Sequence, residues 1–528
     1  MFLTLYLVIA TLLHLSCPAF SISAPDFQSG SNEAHLVNCL TRKNVPTAYN
    51  TSVQWLELAK SFNVAQVYNP VAITLPTTTQ EVSDSVSCAA SIGIKVQARS
   101  GGHSYASYST GGKNGSLIVD LRMFHTISVN DIFGSNIVSA TGVASVGGGV
   151  RLGNLDLSLY AQGKRALPHG TCPDVGIGGH FTHGGYGYVS RAWGLAMDTI
   201  IGLDVVLANG SLIHASASTY PDIYFALRGA ADSFGIITTF YLQTLAAPKK
   251  IVVFSVSMPA VLKSSSEAAH GFLRLQEFAL TSPHMTRNLT FGIVIEGGKE
   301  FTLKGWYLGY ESYFRNTMLP VITETFPGPF EATISSRTWL ESLANETDKP
   351  LEQPLTDYRD HGLFYAKSIV TREAYPLTFK ALMSFFGFII AECNASCPTN
   401  WRSIINLYGG RDSQINAVPT FASGYSGRND LWVIQNFFSL EGQNRSKVID
   451  FASKLTRTIP EAQPEGQFGA SLSYVDPMLS WQEAAVLYYG PELYHWLAAL
   501  KRKVDPRAVF WNPQAVHAVD IYGVPLEG

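Results

Sequence analysis

The chain has 528 residues, of which 46% are hydrophobic and 15% charged, and its formal net charge is −3. That length is enough for two or more domains with a sizeable core. Nucleic-acid binding needs clustered Lys and Arg to neutralise phosphates, and the chain contains no basic block, so we expect no nucleic-acid partner.

The first residues, MFLTLYLVIATLLHLS, form an apolar run that the small residues of CPAFSISA follow. This pattern predicts a secretory signal peptide over residues 1–23, although a positive n-region is lacking. A membrane anchor is the alternative, but the run is shorter than the roughly 20 residues that a span needs. We therefore expect a secreted, extracellular protein without membrane association. Seven N-x-[ST] sequons fit a glycosylated surface: Asn50, Asn114, Asn209, Asn288, Asn345, Asn394 and Asn444.

Six cysteines are present, and one of them lies in the predicted signal peptide. Cys393 and Cys397 are close in sequence and can pair, and Cys39 and Cys88 flank the first predicted unit and can pair too. Cys172 is then left over in an oxidising compartment. It lies in the most glycine-rich stretch of the chain, and a buried free thiol is the simplest alternative for it.

The first half of the chain is predicted to be mixed α and β. A short helix (VQWLELAKSF) and a strand ending in ITLPTTT are predicted within residues 52–77. A Thr before an apolar-periodic run predicts a helix in TTTQEVSDSVSCAASIG. Strands are predicted in KVQARS, SLIVDL, NIVSATG and LDVVLANGSLIHAS. In the last of these, Asn209-Gly210 predicts a hairpin.

The pattern changes from about residue 251. A strand (IVVFSVSM), a long helix (SSEAAHGFLRLQEFALT) and a hairpin (NLTFGIVIEG with FTLKGWYLGY) are predicted there. A helix (EAYPLTFKALMSFFGFII) and a strand (LWVIQNFFSLEG) follow, which indicates an antiparallel sheet with helices on one side. The end of the chain is predicted to be helical from SWQEAAV to Asp505-Pro506, with FWNPQAV irregular.

Two glycine-rich turns carry the candidate chemistry. The first is Arg99–Tyr105, RSGGHSY, in which two glycines allow close backbone approach to a ligand and His103 is placed to touch it. A simple glycine turn with an exposed His is the alternative. The second is Thr171–His180, TCPDVGIGGH, followed by GGYG at 184–187. It suits a diphosphate, but not in the Rossmann manner, because no ordered βαβ unit with a ribose-binding acid follows.

A metal is the other interpretation of the second turn. His180 and His183 stand three residues apart. However, no helix-borne H-E-x-x-H is present, and Cys172 with two His residues makes an unusual zinc set. No metal site is therefore predicted.

The two turns together resemble the berberine bridge enzyme-like branch of the FAD-linked oxidases, which share the vanillyl-alcohol oxidase fold. The resemblance runs from about Pro70 to the C-terminus and is closest to secreted fungal gluco- and chitooligosaccharide oxidases. It is strongest in RSGGHSY, GTCPDVGIGGHFTHGGYGYVSRAWGLAMD, LRGAADSFGIITTF and YYGPELYHWLAALKRKVDP…FWNPQAV.

The resemblance implies bicovalent FAD, with His103 bonded to the 8α methyl group of the flavin and Cys172 to ring carbon 6. Two links raise the flavin's redox potential and leave the site open to a bulky substrate. Val175 matches the position that gates oxygen and resembles the members that react with O₂; its plain alternative is a packing valine. The resemblance places further residues around the cofactor: Arg99, Ser100, Gly101, Gly102, Ser104, Gly176, Gly178, Gly179, His180, Gly184, Gly187, Gly235, Ile237 and Asn512.

Alignment back from Leu497 and Val504-Asp505-Pro506 puts Tyr489 at the catalytic tyrosine of the resembled family. Such a base takes the substrate hydroxyl proton, which requires a pKa well below the usual value of about 10. Tyr105 resembles a tyrosine that lines the site and is counted with Tyr489 as catalytic. Gln435 resembles a substrate-facing glutamine, so Gln435 and Tyr105 are the predicted substrate-binding residues.

The sequence departs from the carbohydrate oxidases just after Gln435. Those enzymes carry an Asp there that partners the catalytic tyrosine, whereas this chain has Asn436-Phe437-Phe438. The next carboxylate is Glu441, and Asp476 is a possible substitute partner.

We therefore predict an α+β protein with a two-domain FAD-binding fold of the vanillyl-alcohol oxidase type and an antiparallel-sheet substrate domain. Residues 24–248 and 479–528 form the FAD-binding domain and 249–478 the substrate domain, with the flavin at their interface. The expected activity is oxidation of an alcohol or of the anomeric carbon of an oligosaccharide, with hydride passing to FAD and O₂ reduced to H₂O₂.

Two alternatives stay open. The protein is either a secondary-metabolite oxidase, which closes rings or oxidises alcohols, or a secreted binding protein that keeps the fold without turnover. The expected partners are an oligosaccharide or another small molecule and O₂, and a monomer is expected.

Overall fold

The structure is a computed structural model that describes residues 30–130, 141–324, 326–355, 361–393 and 397–525. The predicted signal peptide and its cysteine, the sequon Asn394 and most of the predicted strand NIVSATG lie outside the described residues.

Two sheets form the N-terminal half. The first contains β1 (Thr47–Ala48), β2 (Ala72–Thr74), β3 (Val96–Arg99) and β4 (Leu117–Asp120). Its order is β1-β2-β4-β3, and β4 pairs in parallel with both β2 and β3. The loop that leaves β3 begins RSGGHSY, so this strand positions the first glycine-rich turn.

The second sheet is antiparallel. It contains β5 (Ile127–Asn130), β6 (Thr141–Gly147), β7 (Arg165–Ala166), β8 (Ile200–Val206), β9 (Leu212–Ser216) and β10 (Ile236–Ala246). Its order is β5-β6-β10-β8-β9, with β7 paired to β10. β8 and β9 form the predicted hairpin, in which Gly210 has φ +81°, so Asn209-Gly210 is confirmed as its turn.

The third sheet is a seven-stranded antiparallel sheet. It contains β11 (Ile251–Ser257), β12 (Leu289–Glu296), β13 (Glu300–Tyr307), β14 (Glu331–Arg337), β15 (Phe364–Arg372), β16 (Trp401–Leu407) and β17 (Asp430–Ser439). The order is β14-β11-β13-β12-β16-β17-β15, and β12 with β13 is the predicted hairpin.

Sixteen α-helical segments are described: α1 (Asn32–Arg42), α2 (Trp55–Ala59), α3 (Thr79–Ser91), α4 (Leu152–Ala161), α5 (Ile177–Thr182), α6 (Ser190–Trp193), α7 (Pro221–Ala230), α8 (Ser265–Thr281), α9 (Glu311–Tyr313), α10 (Leu319–Thr323), α11 (Trp339–Asn345), α12 (Phe379–Cys393), α13 (Gln414–Ala417), α14 (Arg445–Ala462), α15 (Trp481–Ala484) and α16 (Pro491–Val504). The long helices α8, α12 and α14 share one hydrophobic core with the seven-stranded sheet. The predicted helix-covered antiparallel sheet is thus confirmed, and with it the α+β class. No helix among the described residues combines the length and hydropathy of a membrane span.

Local chemistry explains where the predicted helices begin. Thr78 caps α3 by accepting from the backbone N–H of Glu81 at 3.2 Å, and Glu81 returns a bond to the backbone N–H of Thr78 at 3.2 Å. α12 starts six residues later than the predicted EAYPLTF, because Pro376 cannot continue a helix and Arg372 still belongs to β15.

The C-terminal helix is broken and returns to the N-terminal half. A π-helical segment, Ala485–Tyr489, ends at Gly490, whose φ of +76° separates it from α16. The Lys501 ammonium is fully buried and donates to the Ser233 carbonyl at 2.6 Å and to Asp505 at 2.6 Å. Beyond α16, the Val509 carbonyl accepts from the backbone N–H of Val96 in β3 at 2.8 Å. The final segment is therefore bonded to the same half as the first glycine-rich turn, while the domain boundaries near 248 and 478 stay a prediction.

Both disulfides that the sequence allowed are present, Cys39–Cys88 and Cys393–Cys397. Cys172 is the free cysteine of the described residues, and it is exposed. The alternative of a buried free thiol is therefore wrong, because this free cysteine is exposed.

Candidate active site

The two glycine-rich turns are in direct backbone contact. A Cβ atom on Gly101 would lie 2.1 Å from the backbone N of Gly176, and one on Gly176 would lie 2.0 Å from the backbone N of Gly101. Ser100 adds a hydrogen bond, since its hydroxyl accepts from the backbone N–H of Gly178 at 3.2 Å. Glycine at these positions is what lets the turns lie against each other, so their relative position is fixed by the backbone.

His103 and Cys172 are linked through the residue two positions after the cysteine. The Asp174 carboxylate lies 3.1 Å from Nε2 of His103 and 2.6 Å from the Lys349 ammonium. Burial raises the pKa of Asp174, but the hydrogen bonds and charges of His103 and Lys349 outweigh it and hold the pKa below its ordinary value. The imidazole also packs on Phe62, with ring centroids 4.2 Å apart.

The Cys172 sulfur is accessible and yet poorly solvated. Desolvation raises the pKa of the thiol, Asp174 adds to the rise, and Lys349 and Arg402 oppose it. We refer to the space between Cys172 and Arg402 of the third sheet as the cleft. Tyr105 and Tyr474 lie beside each other, with ring centroids 5.9 Å apart, and the charge of Cys172 raises the pKa of both phenols.

Tyr105 is held by the third sheet. Its hydroxyl accepts from Nε2 of Gln435 in β17 at 2.9 Å, and its backbone carbonyl accepts from the Asn63 amide at 2.7 Å. Burial raises the pKa of Tyr105 to about 12, with Cys172 adding to the rise and Arg402 opposing it. The structure therefore brings together the two residues predicted to bind substrate.

Aromatic rings form the walls around Tyr105. Its ring lies 5.1 Å from Phe364, 6.4 Å from Phe437 and 5.9 Å from Tyr474, measured between centroids. The Arg402 guanidinium in β16 covers Phe437 at 5.2 Å. Side chains alternate along a strand, so Gln435 and Phe437 face the site, whereas Asn436 is fully buried on the other face and bonded to Ser403.

Comparison with known proteins identifies the family. Residues 70–216 match the FAD binding domain and residues 472–517 match the berberine and berberine-like domain. The chain is 32% identical to a xylooligosaccharide oxidase of Thermothelomyces thermophilus, across 97% of this chain and 100% of that protein. The chain belongs to the berberine bridge enzyme-like family of FAD-dependent oxidoreductases.

Two other members show the range of this berberine bridge enzyme-like family. The chain is 32% identical to the FAD-linked oxidoreductase dpmaF of Metarhizium anisopliae, with 92% of each chain covered. The solved glucooligosaccharide oxidase of Acremonium strictum, described as carrying 6-S-cysteinyl, 8α-N1-histidyl FAD, superposes with a TM-score of 0.85. Its identity is 29% over 92% of this chain and 100% of that one. FAD is thus the cofactor of this chain, and the predicted vanillyl-alcohol oxidase fold is confirmed.

The described residues fit FAD at the two turns. A Cβ on the exposed Gly179 would meet nothing within 4 Å, so open space adjoins the backbone of the second turn. One carboxylate oxygen of Asp174, Oδ1, is buried there without a hydrogen-bond partner among the described residues. Asp232 forms a further polar cluster, in which it accepts from Asn512 at 2.8 Å and lies 3.6 Å from Nε2 of His183. The cleft thus offers nucleophilic side chains, open space beside glycine and polar partners to one ligand.

Several predicted cofactor residues hold the turns rather than line the cleft. Arg99 donates to Asp120 at 2.6 Å and to the Leu58 carbonyl at 2.5 Å, which ties β3 to β4. His180 accepts from the backbone N–H of Gly170 at 2.8 Å, and burial lowers its pKa to about 3, so it is neutral. Ser104 accepts from the backbone N–H of Tyr108 at 3.0 Å, and the Gly102 carbonyl accepts from Ser109 at 3.2 Å.

The remaining predicted cofactor positions are packed. A Cβ on Gly184, Gly187 or Gly235 would meet Tyr425 at 3.2 Å, the His169 carbonyl at 1.7 Å or Val205 at 2.6 Å. Ile237 is a core residue of β10 opposite Val205. The three glycines allow close packing with these neighbours, and Ile237 fills the core. Val175 is half-buried beside the same core and keeps its predicted place next to Cys172.

The structure packs Tyr489, the predicted base, among other side chains. Tyr489 is only 5% exposed and packs in the core of the FAD-binding half, 6.3 Å from the ring of Tyr494. Tyr474, fifteen positions earlier, is the tyrosine that faces Tyr105. Tyr489 is the last residue of the π-helical segment Ala485–Tyr489, which Gly490 follows with a φ of +76°. The nearby Asp476 was named in the sequence, which is the signal that could have led to Tyr474.

The Asp476 carboxylate already has two side-chain partners. Its carboxylate accepts from the Tyr365 hydroxyl at 2.9 Å and pairs with the Lys367 ammonium. Glu441 is exposed at the end of β17. Arg402 and Lys349 were not singled out in the sequence, since both come to the site from distant segments. No group of three metal-ligating side chains occurs in the described ranges.

Proposed function

We propose that the protein is a secreted oxidase that binds FAD covalently through His103 and Cys172 and oxidises the anomeric CH–OH group of an oligosaccharide, with O₂ reduced to H₂O₂. One observation carries this proposal. The accessible Cys172 thiol, the His103 imidazole and the Tyr105–Tyr474 pair belong to one desolvated cleft between the glycine-rich turns and the third sheet.

His103 and Cys172 suit bicovalent attachment. Nε2 of His103 is engaged by Asp174, so Nδ1 is the ring nitrogen left for a bond. An N1-histidyl and a 6-S-cysteinyl bond are described for the similar glucooligosaccharide oxidase. When bound, FAD supplies a two-electron acceptor that takes a hydride from the substrate carbon and returns the electrons to O₂.

Tyr474 is the proposed base, in place of Tyr489. It is half-buried and faces Tyr105 across 5.9 Å between ring centroids. Burial raises the pKa of Tyr474 above its ordinary value, Tyr105 and Cys172 add to the rise, and Arg402 opposes it. No carboxylate follows Gln435 in β17, where Asn436, Phe437 and Phe438 come next. The Arg402 cation is therefore the group proposed to ease loss of the Tyr474 proton.

Tyr105 and Gln435 are proposed to orient the substrate. Because Gln435 donates to the Tyr105 hydroxyl at 2.9 Å, the phenolic hydrogen is free to point to a substrate oxygen. The faces of Phe364, Phe437 and Phe62 offer flat apolar surfaces against which a sugar ring can stack. Holding the reacting C–H bond in one orientation lowers the barrier by removing translational and rotational freedom in advance.

Secretion, oxygen use and a monomeric state complete the proposal. The six sequon asparagines among the described residues are all exposed, and two disulfides are formed, as an extracellular glycoprotein requires. Val175 adjoins Cys172 and is small enough to leave the flavin accessible to O₂.

Wild-type protein that releases all of its pigment on acid precipitation contradicts the covalent cofactor. Lack of peroxide with every oligosaccharide in a xylo-, chito- and gluco- panel contradicts the substrate.

Oxidation of a small aromatic or aliphatic alcohol in biosynthesis is the second candidate. The observation that favours it is Phe437, an aromatic side chain of the site in the short segment after Gln435 where the carbohydrate oxidases are expected to carry Asp. Comparing kcat/KM for peroxide formation between oligosaccharides and phenolic alcohols separates the two. A higher value for the phenolic alcohols selects the second candidate.

A further inference from the structure

Asp174 stands between the two predicted attachment points and contacts one of them directly. Its Oδ2 lies 3.1 Å from Nε2 of His103 and 2.6 Å from the Lys349 ammonium. The side chain is 10% exposed, so water competes little for either contact. Phe62 covers the imidazole from one side, with an interplanar angle of 31°, and thereby fixes the ring plane.

These contacts select one tautomer of His103. An ionised carboxylate only accepts hydrogen bonds, so the ring nitrogen that faces it carries the proton. Lys349 keeps the carboxylate ionised, because an ammonium at 2.6 Å favours the charged form. Nε2 of His103 is therefore the N–H donor, and Nδ1 holds the lone pair that a new bond needs.

Attachment has a defined balance of atoms and electrons. Bond formation joins Nδ1 to the 8α carbon of FAD and breaks one C–H bond there, with loss of the proton to solvent. The two electrons left on the isoalloxazine pass to O₂, which takes two protons from solvent to give H₂O₂, while Nε2 keeps its proton. The imidazole gains positive charge as the bond forms, and a carboxylate at 3.1 Å stabilises that charge.

We propose that Asp174, held by Lys349, is a positioning residue that directs flavin attachment to Nδ1 of His103 and accelerates it. This inference rests on the proposed covalent cofactor and goes beyond it by assigning the groups that make the bond form.

The test uses the Cys172→Ala variant as parent, in which His103 is the only predicted anchor. Absorbance before denaturation gives the bound FAD, and acid precipitation of timed aliquots in air gives the covalent fraction. A lost charge-assisted hydrogen bond corresponds to an attachment rate about 10- to 100-fold lower in Asp174→Asn. Lys349→Gln keeps the carboxylate and has a smaller loss, and Asp174→Glu restores part of the rate.

A second readout separates positioning from general damage. Asparagine can donate to Nε2 and so favours the tautomer with its proton on Nδ1, which shifts the residual product toward the Nε2-linked isomer. NMR of the isolated flavin peptide distinguishes the two isomers. Asp204→Asn is the matched control, because Asp204 contacts His214 at 2.8 Å in the β8–β9 hairpin, and we expect it to attach flavin at the parent rate.

The outcomes separate the two proposals. Wild-type polypeptide without bound flavin after precipitation refutes the proposed function and this inference with it. Covalent flavin in the parent, combined with the parent rate and the Nδ1 isomer in Asp174→Asn, refutes this inference alone. If Asp174→Asn does not fold, Lys349→Gln decides, and an unchanged attachment rate in that variant overturns the inference.

Discussion

Replacing Tyr474 with Phe removes one hydroxyl group from the proposed site and leaves the ring where it packs. The ring contact with Tyr105, at 5.9 Å between centroids, does not depend on the phenolic oxygen, so the aromatic lining should persist. His103 and Cys172 are untouched, and we expect FAD to stay attached. The perturbation is therefore confined to the group that is proposed to take the substrate proton.

The expected loss is that of a general base. Proton transfer by a positioned side chain contributes about 10²- to 10⁴-fold, which corresponds to roughly 2.7–5.4 kcal/mol in the barrier at about 1.36 kcal/mol for each tenfold change. Tyr489→Phe is the matched control, since it removes the same atom from a tyrosine that packs against Tyr494 in the core. We expect its effect on flavin reduction to be less than about tenfold, from small changes in packing alone.

Anaerobic stopped-flow spectroscopy at saturating substrate measures flavin bleaching directly and keeps the reaction with O₂ out of the rate. The covalent flavin content of each variant is measured in parallel. Flavin bleaching at a near wild-type rate in Tyr474→Phe would refute the proposal that Tyr474 is the base. A large loss of the bleaching rate in Tyr489→Phe, with Tyr474→Phe unaffected, would refute it as well.

Two further predictions follow from charges in the structure. A base must be deprotonated to act, and Arg402 lowers the pKa of Tyr474. Arg402→Gln should therefore move the rise of the flavin-reduction rate to higher pH and slow reduction at neutral pH by up to about fivefold. Arg402→Lys is the charge-retaining control, and an unshifted pH profile in Arg402→Gln would contradict the prediction. Lys501→Met should lower the free energy of unfolding by about 3–5 kcal/mol, because it leaves Asp505, which is 1% exposed, as an unpaired buried charge. Urea unfolding checks this, the double variant with Asp505→Asn should recover part of the loss, and a wild-type midpoint for the single variant would speak against it.

Elements with a local chemical signal could be predicted from the sequence. Thr78 and Glu81 form the capping box that begins α3, and Asn209-Gly210 turns the β8–β9 hairpin. The C-terminal helix was predicted as continuous because its apolar period runs through Gly490. The positive φ of that residue interrupts it, and no periodic pattern reveals such a break.

The candidate site could be predicted only in part. His103 and Cys172 lie in turns whose composition marks them, and Tyr105 is two residues after His103 in the first turn. Lys349 is 175 positions from its partner Asp174 and comes from a loop, so no spacing in the sequence connects the two. Tyr474 was not named from the sequence, because its contact with the ring of Tyr105 joins positions that are 369 residues apart.

The C-terminal segment that bonds to the N-terminal half is synthesised after the rest of that half. Val509 and Lys501 supply partners to Val96 and Ser233, which emerge from the ribosome hundreds of residues earlier. The half that takes FAD is thus finished only after the whole seven-stranded sheet has been translated. We therefore expect cofactor attachment to be a late event, because a chain that stops before α16 has both predicted anchors without the segment that bonds to Val96 and Ser233.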